Sequence, residues 1–263
     1  IAVGLTFVII TAGIDLSVGS ILAFSGVVLA SVLNAGIPIP IALMAGLGVG
    51  LLCGVSNGIL ISYGRLPPFI STLGMMSVAR GAALLYSQGR PISGFSNDYR
   101  YLATGEIFHI PVPVIIMVFV YLVAHLVLTR TKLGRYMYAI GGNEEAATLS
   151  GVNVKVYKTM VYGLCGMLSG LGAIILTARL NSAQPIAGIM YELDAIAATV
   201  IGGTSLMGGE GRVSGTLIGA LIMGVIRNGL NLLGVSSFVQ QTVIGSVIII
   251  AVLIDMALKR QRQ

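Results

Sequence analysis

The chain has 263 residues, of which 56% are hydrophobic and only 9% are charged, and its mean hydropathy is +0.97. Because a soluble domain carries roughly 25% charged residues, this composition excludes an ordinary water-soluble domain and predicts one lipid-embedded domain of about eight spans. The net charge of +6 does not indicate nucleic acid as a partner, since the basic residues lie in short segments between apolar runs.

The first half of the chain carries five apolar runs, at residues 1–11, 16–33, 39–62, 69–86 and 110–129. A hydrocarbon core of ~30 Å needs ~20 apolar residues as a helix, so several of these runs are long enough to cross alone. Residues 87–109 are polar and aromatic, and we expect them outside the membrane. The chain starts without Met inside an apolar run, so we expect at least one further helix ahead of it.

The second half begins with the longest cationic segment, residues 130–155, and continues with apolar runs at residues 156–178, 213–226 and 238–258. Between them, residues 193–201 form a short apolar helix that either crosses or re-enters the membrane, and residues 202–212 form a glycine-rich turn. The sequence therefore predicts an all-α, polytopic membrane helical bundle with helix breaks.

Alternating the spans divides the cations into two groups. The larger group contains Arg65, Arg130, Lys132, Arg135, Lys155, Lys158, Arg212, Lys259, Arg260 and Arg262. The smaller group contains Arg90, Arg100, Arg179 and Arg227. Because cytoplasmic loops carry the excess of Lys and Arg, the side that holds the larger group of cations is predicted to be cytoplasmic. This assignment requires that residues 193–201 count as a crossing.

A polar break at residues 12–20 contains Asp15, Ser17 and Ser20. A carboxylate inside a membrane helix is expensive and indicates a pathway or a structural lock. Asp15 is also placed to cap the helix that starts near Leu16. Residues 13–21 weakly resemble residues 209–217, and such repeats with glycine-interrupted helices occur near the pathway of transporters.

A glycine ridge runs along the third apolar run, where Gly46, Gly50, Gly54 and Gly58 recur at a spacing of four. Small residues at this spacing let a second helix approach closely in lipid. The ridge predicts either packing inside the chain, which we favour, or a dimer or gating interface.

Further polar candidates lie away from the break. Arg80 is predicted to snorkel, to pair with a carboxylate such as Asp15 or Asp194, or to line a wet cavity. On the outer side, Asn181 and Gln184 precede Glu192 and Asp194, whose acids suit a helix N-terminus as well as acid–base chemistry. No spacing typical of a catalytic set, a phosphate loop or a metal site accompanies them, so we expect no enzyme activity, metal or cofactor.

The long cationic segment contains a short predicted helix. Asn143 is a good N-cap, Glu144 and Glu145 complement the first turn, and Gly151 is a C-cap after Ser150. Two turns are unstable alone, so the helix must dock on something. The small face of Ala146 and Ala147 suits a partner's groove, and the alternative is packing on the chain itself.

These segments together resemble the permease subunits of ABC importers for monosaccharides of the ribose type. The similar segments read GIDLSVGS (13–20), LGRYMYAIGGNEEAA (133–147), LSGVN (149–153), ARLNSAQP (178–185), YELDAIAA (191–198), GGTSL (202–206), GTLIGA (215–220) and NGLNLLGVS (228–236).

The resemblance implies a single transmembrane permease domain over residues 1–263, in the bacterial cytoplasmic (inner) membrane. It also implies a second permease copy, cytoplasmic ATP-binding subunits, an extracytoplasmic sugar-binding protein, and a coupling helix at residues 143–151. Two alternatives stay open: an ion-coupled secondary transporter, for which Asp15 and Asp255 are the nearest candidate carboxylates, and a permease for branched-chain amino acids or a signalling sugar derivative.

Overall fold

The computed structural model describes residues 1–260, and of Ser237 and residues 254–260 it describes the backbone alone. Arg262, one of the predicted cytoplasmic cations, lies outside the described residues, and the side chains of Asp255, Lys259 and Arg260 are not described either.

Helices make up most of the described chain. The first six are α1 (Ala2–Ile10), α2 (Val18–Asn34), α3 (Ile39–Ser62), α4 (Pro68–Ser87), α5 (Asn97–Thr104) and α6 (Val112–Arg130). The others are α7 (Lys132–Gly142), α8 (Glu144–Leu149), α9 (Val154–Leu180), α10 (Tyr191–Ile201), α11 (Val213–Leu232) and α12 (Ser237–Arg260). Five of them (α3, α4, α6, α9 and α11) are long and apolar enough to cross a membrane, which confirms the predicted polytopic helical bundle.

Short strands join the segments between helices at one end of the bundle. Strand β1 (Ile92–Ser93) pairs antiparallel with β4 (Ser182–Ala183), and β2 (Glu106–Ile107) pairs with β3 (Ile110–Pro111).

Proline starts several of the long helices. Pro38, Pro67 and Pro111 are the N-caps of α3, α4 and α6, and each helix has a further proline in its first two positions. Proline is tolerated there because the first helical N–H groups have no intrahelical acceptor and the ring fixes φ near its helical value. Helices α3, α4 and α6 therefore begin within about two residues of the starts that the apolar runs predicted.

Helices α3 and α9 form the closest helix pair of the bundle. Gly50 and Gly54 of α3 are buried against the backbone of α9, where Gly166 and Tyr162 lie. The glycine ridge is therefore packed inside the chain, as we favoured, and it is not free to form a dimer interface.

Two polar segments contain helices that were not predicted from the sequence. Residues 87–109 include α5, whose Tyr99 is fully buried and donates its hydroxyl hydrogen bond to the Ile174 carbonyl of α9 at 3.1 Å. Residues 130–155 include α7, which directly precedes α8. The short predicted helix at 143–151 is therefore not the only helix of the long cationic segment.

Candidate functional site

A chain of buried polar side chains connects the break after α1 to α3 and α4. The Asp15 carboxylate oxygen Oδ1 accepts hydrogen bonds from the Ser17 backbone N–H at 2.8 Å and from the Ser17 hydroxyl at 2.5 Å. Asn57 of α3 donates to Ser17 Oγ at 3.0 Å, and Ser71 of α4 donates to Asn57 Oδ1 at 3.3 Å. Because all four residues are buried, these partners offset the cost of removing polar groups from water.

Asp15 does not cap α2 in the predicted way. The helix begins at Val18, its N-cap is Ser17, and no side chain caps its first turn. The carboxylate instead binds the N–H of the N-cap residue, two positions along the chain, which is an Asx turn. Ser20 is buried in the first turn of α2. Asp15 thus shapes the entry into the helix and links it to α3 through Ser17.

The break also contacts α9. The Tyr162 hydroxyl donates to the Ile14 carbonyl at 3.2 Å, and the Cys165 thiol lies beside the Asp15 carboxylate. Asn57 and Tyr162 were not among the predicted site residues. Asn57 had a readable signal, since it is an amide inside an otherwise apolar span. Tyr162 had none, because tyrosine is common in membrane helices near their ends.

The second half of the chain contains a similar helix–break–helix unit. After α10, residues 202–212 form the glycine-rich turn, and α11 then begins at Val213. In the predicted repeat, residues 13–21 align with 209–217, and the starts of α2 and α11 differ by one residue in that alignment. Both repeat segments therefore open a helix after a break.

The two units contact each other through polar groups. The Thr6 hydroxyl of α1 lies 2.7 Å from the Thr216 hydroxyl of α11, and Gly209 donates its N–H to the Ile10 carbonyl at 2.9 Å. Tyr138 of α7 donates to the Gly211 carbonyl at 2.7 Å. Since α7 belongs to the basic segment, the glycine-rich turn lies at the basic end of the bundle.

The segment before α10 starts at the opposite end. Helix α9 runs away from α8 and ends at Leu180, after which Ala183 pairs with Ile92 in the β1–β4 ladder. The following residues pack on α2, where the Gly188 backbone lies against Gly19. Because residue 183 lies at one end and residue 209 at the other, the chain between them crosses the bundle, with α10 as its helical part.

Arg80 of α4 holds this crossing segment. Its guanidinium nitrogen Nη1 donates to the carbonyl oxygens of Pro185 and Ala187, each at 2.7 Å. It pairs with neither Asp15 nor Asp194, so the pairing with these carboxylates, one of the three alternatives, is not found. Arginine suits this task because one planar guanidinium can satisfy backbone acceptors that have no partner in a non-helical segment.

The other site residues predicted on the outer side do not form one cluster with Arg80. Asn181 ends α9 in the left-handed conformation, with φ of 52°, and its side-chain oxygen accepts from the Phe95 N–H at 3.0 Å. Gln184 is exposed, and Glu192 faces Gly19 at the start of α2. Asp194 forms an ion pair with Arg227 of α11. The structure thus brings Arg80 and Glu192 together at the crossing segment, whereas the Asn181 side chain contacts the segment before α5, 86 positions away.

At the basic end, α8 packs on α7 and α9. Asn143 accepts from the Ala146 N–H at 2.9 Å, which matches the predicted N-cap, and Glu144 forms an ion pair with Lys158 of α9 at 2.6 Å. Gly151 follows the helix with φ of +83°. These contacts attach the helix to its own chain.

Ala147 does not lie on the exposed face of α8, where it was predicted to fit a partner's groove. It is only 5% exposed because it packs with Ile140 and Val154, so it cannot contact a partner's groove. The exposed face of α8 contains Glu145, Ala146, Leu149 and Ser150, and Leu149 is 89% exposed. An apolar side chain this exposed in a polar segment is a candidate contact for another protein.

The fold and these sites define a class. Polytopic helices and two units of helix–break–helix are features of membrane transport subunits. The chain belongs to the family described as "Branched-chain amino acid transport system / permease component", which matches residues 1–253. It is a multi-pass protein of the cytoplasmic (inner) membrane.

Individual relatives are similar over nearly the whole chain. The ribose import permease protein RbsC of Bacillus subtilis (strain 168) is 53% identical over 97% of this chain and 80% of its own length. The protein of the same name from Escherichia coli (strain K12) is 52% identical with the same coverage. The D-allose transport system permease protein AlsC of Escherichia coli (strain K12) is 44% identical over 97% of this chain and 78% of its own length. No solved structure matches the chain.

Proposed function

We propose that this chain is the membrane permease of an ABC importer that carries a ribose-like monosaccharide into the cytoplasm. The observation that carries the proposal is 52–53% identity to ribose import permeases over 97% of the chain, with both helix breaks inside the matched region. Relatives named for allose and fructose share 44% and 41% identity, so the chain is more similar to the ribose permeases named here.

In this proposal, residues 1–263 form one permease domain that works with a second copy of itself or of a similar permease. The domain performs no covalent chemistry. Cytoplasmic ATP-binding subunits hydrolyse ATP and switch the domain between outward- and inward-facing states, and an extracytoplasmic binding protein delivers the sugar. The break residues Asp15, Ser17 and Ser20 and the outer residues Arg80, Asn181, Gln184, Glu192 and Asp194 are the candidates that shape the pathway.

Uptake in cells tests this function. A strain that lacks its own ribose permease receives this chain together with an ATP-binding subunit and a binding protein, and uptake of labelled ribose is measured. We expect uptake that excess unlabelled ribose abolishes and that an inactive ATP-binding subunit prevents. Uptake that survives loss of ATP hydrolysis but stops when the ion gradient collapses would identify an ion-coupled transporter instead.

We further propose that α8 and its flanking residues (Asn143, Glu144, Glu145, Ala146, Ser150 and Gly151) couple the permease to the ATP-binding subunit, with Leu149 as the central contact. Leu149 supports this assignment because it is 89% exposed at the end of α8, next to the exposed Ala146. Ala147 contributes by holding α8 on its own chain, since it is buried against Ile140 and Val154.

Co-purification tests the coupling surface. Leu149→Asp should insert and fold normally but lose the ATP-binding subunit, because a charge would be desolvated in the contact. Phe108→Asp is the matched control, since Phe108 is a large apolar residue, 93% exposed, in the segment at the opposite end of the bundle. If Leu149→Asp retains the subunit at wild-type yield, the coupling assignment to α8 is wrong.

A further inference from the structure

A basic groove opens beside α8, where the ends of α3, α4 and α9 meet at the basic end of the bundle. It has a volume of about 740 Å³, and its lining includes Arg65, Leu66, Glu144, Thr148, Lys155 and Lys158. The positive-inside rule assigns this end to the cytoplasm. The groove therefore lies at the level where lipid headgroups meet the cytosol.

The charges in the basic groove are not balanced. Lys158 is neutralised by Glu144 at 2.6 Å. Arg65 and Lys155 are both exposed, and neither has an ion pair among the side chains that the structure describes. The Lys155 ammonium lies over the Tyr63 ring, 5.5 Å from its centroid, which orients the cation without neutralising it. Two uncompensated positive charges therefore line the groove.

The backbone at Arg65 is also unusual. Its φ is +55°, a left-handed conformation that residues with a Cβ rarely adopt. The preceding residue, Gly64, would adopt this conformation without strain, but the conformation falls on Arg65 instead. Backbone strain of this kind concentrates at ligand sites, which agrees with a ligand beside Arg65.

Apolar surface continues from the basic groove along α4. Leu66 lines the groove and is 39% exposed, and Phe69 and Ile70, just after the proline pair, are 52% and 53% exposed. Phe69 and Ile70 belong to the first turn of α4, a candidate membrane span, so they face acyl chains, and Leu66 lies in the loop just before them. A ligand that fits the whole surface is amphipathic, with an anionic head and an apolar tail, which a free phosphate or an acidic peptide is not.

We propose that the basic groove binds the headgroup of an anionic phospholipid of the cytoplasmic leaflet. The phosphate lies between Arg65 and Lys155, and an acyl chain lies along Leu66 and Phe69. Basic pockets between membrane helices on the cytoplasmic side suit such headgroups, and each cation near the surface contributes to attraction. Since Glu144 and Thr148 of α8 form the facing wall, the bound lipid also supports the position of α8.

Lipid retention tests this site in the intact permease, purified together with its ATP-binding subunit. The protein is reconstituted in nanodiscs of phosphatidylcholine doped with phosphatidylglycerol, and the retained lipids are counted by native mass spectrometry. Arg65→Gln with Lys155→Gln should lower phosphatidylglycerol retention about 25-fold, at about fivefold for each cation, and leave phosphatidylcholine unchanged. Lys155→Gln alone should lower phosphatidylglycerol retention about fivefold, and it leaves the loop that contains Arg65 unchanged.

Arg130→Gln with Arg135→Gln is the matched control, because it removes the same charge from exposed cytoplasmic positions outside the groove. Retention in this control should equal the wild type. Equal losses in both double variants would mean that general surface charge holds the lipid, and the site would be rejected. It would also be rejected if inorganic phosphate alone displaced the lipid, or if the wild type retained phosphatidylglycerol only after the ATP-binding subunit was stripped away, since an acidic partner would then occupy the groove.

Discussion

Gly50 of α3 and Gly166 of α9 approach each other so closely that a Cβ added to either would overlap the carbonyl oxygen of the other. Gly54 makes the same kind of contact with the Tyr162 carbonyl, and Gly170 with the Gly46 carbonyl. The two helices therefore touch backbone to backbone over several turns. In lipid, where apolar surface gives no drive to associate, this packing and its dispersion contacts hold the pair together.

Gly50→Ala should destabilise the permease, because neither the methyl group nor the opposing carbonyl can move without separating α3 and α9. Overpacking of this kind costs about 1–3 kcal/mol. We expect a lower unfolding temperature by circular dichroism in detergent and less monodisperse protein. Gly48→Ala lies on the same helix with nothing within 4 Å of the added Cβ, so it should be neutral or slightly stabilising. Equal unfolding temperatures for the two variants would contradict the close-packed interface.

Asp15→Ala should also reduce the amount of folded protein, because it leaves two donors of Ser17 without their acceptor inside the bundle. A buried donor without a partner costs about 1–3 kcal/mol. Asp15→Asn should be mild, since its amide oxygen can accept the same bonds. Ser17→Ala removes the link to Asn57, and its effect should not add to that of Asp15→Ala, because one network is broken in both. Normal folding with lost transport in Asp15→Asn would instead assign the function to the charge.

The positions of the long spans were predictable because their cause is local. An apolar run bounded by proline pairs or cations, such as residues 39–62, determines a helix from its own composition and length. The N-cap at Asn143 was predictable for the same reason, since a capping bond joins residues three apart.

The missed features depend on contacts between different helices or segments. Helix α5 is held by Tyr99 reaching the Ile174 carbonyl, 75 positions away, so its polar sequence resembled a loop. Ala147 looked available because its small neighbours suggest an open face, but Ile140 and Val154 cover it. Arg80 was predicted to snorkel, to pair with a carboxylate or to line a wet cavity, whereas its acceptors are main-chain carbonyls that no side-chain pattern reveals. Tertiary contacts decide such cases.

Cysteine labelling should test which end of the bundle faces the cytoplasm. In a background with Cys53→Ala and Cys165→Ala, Gly142→Cys should react only with a reagent applied from the cytoplasmic side, and Phe108→Cys only from outside. Gly142 has open space around its Cβ and Phe108 is 93% exposed, so both thiols are accessible. Gly105 is unsuitable, because a Cβ there would meet the Tyr101 ring at 2.5 Å. Labelling of both positions from one side would overturn the orientation given by the cations.

Arg80→Gln should loosen the segment between β4 and α10, because the carbonyls of Pro185 and Ala187 both lose the guanidinium that binds them. The expected result is reduced sugar uptake with normal co-purification of the ATP-binding subunit, since the change lies far from α8. Hydrogen bonds to a charged donor contribute about 1.5–3 kcal/mol each. A cysteine introduced by Gln184→Cys should therefore react faster in the Arg80→Gln background than in the wild type.

Arg80→Lys keeps the charge with a compact donor and should give an intermediate labelling rate. Arg90→Gln, which removes an exposed cation at the same end of the bundle, is the control and should change neither uptake nor labelling. Wild-type labelling rates in Arg80→Gln would show that other contacts, such as Gly188 against Gly19, are enough to hold the segment in place.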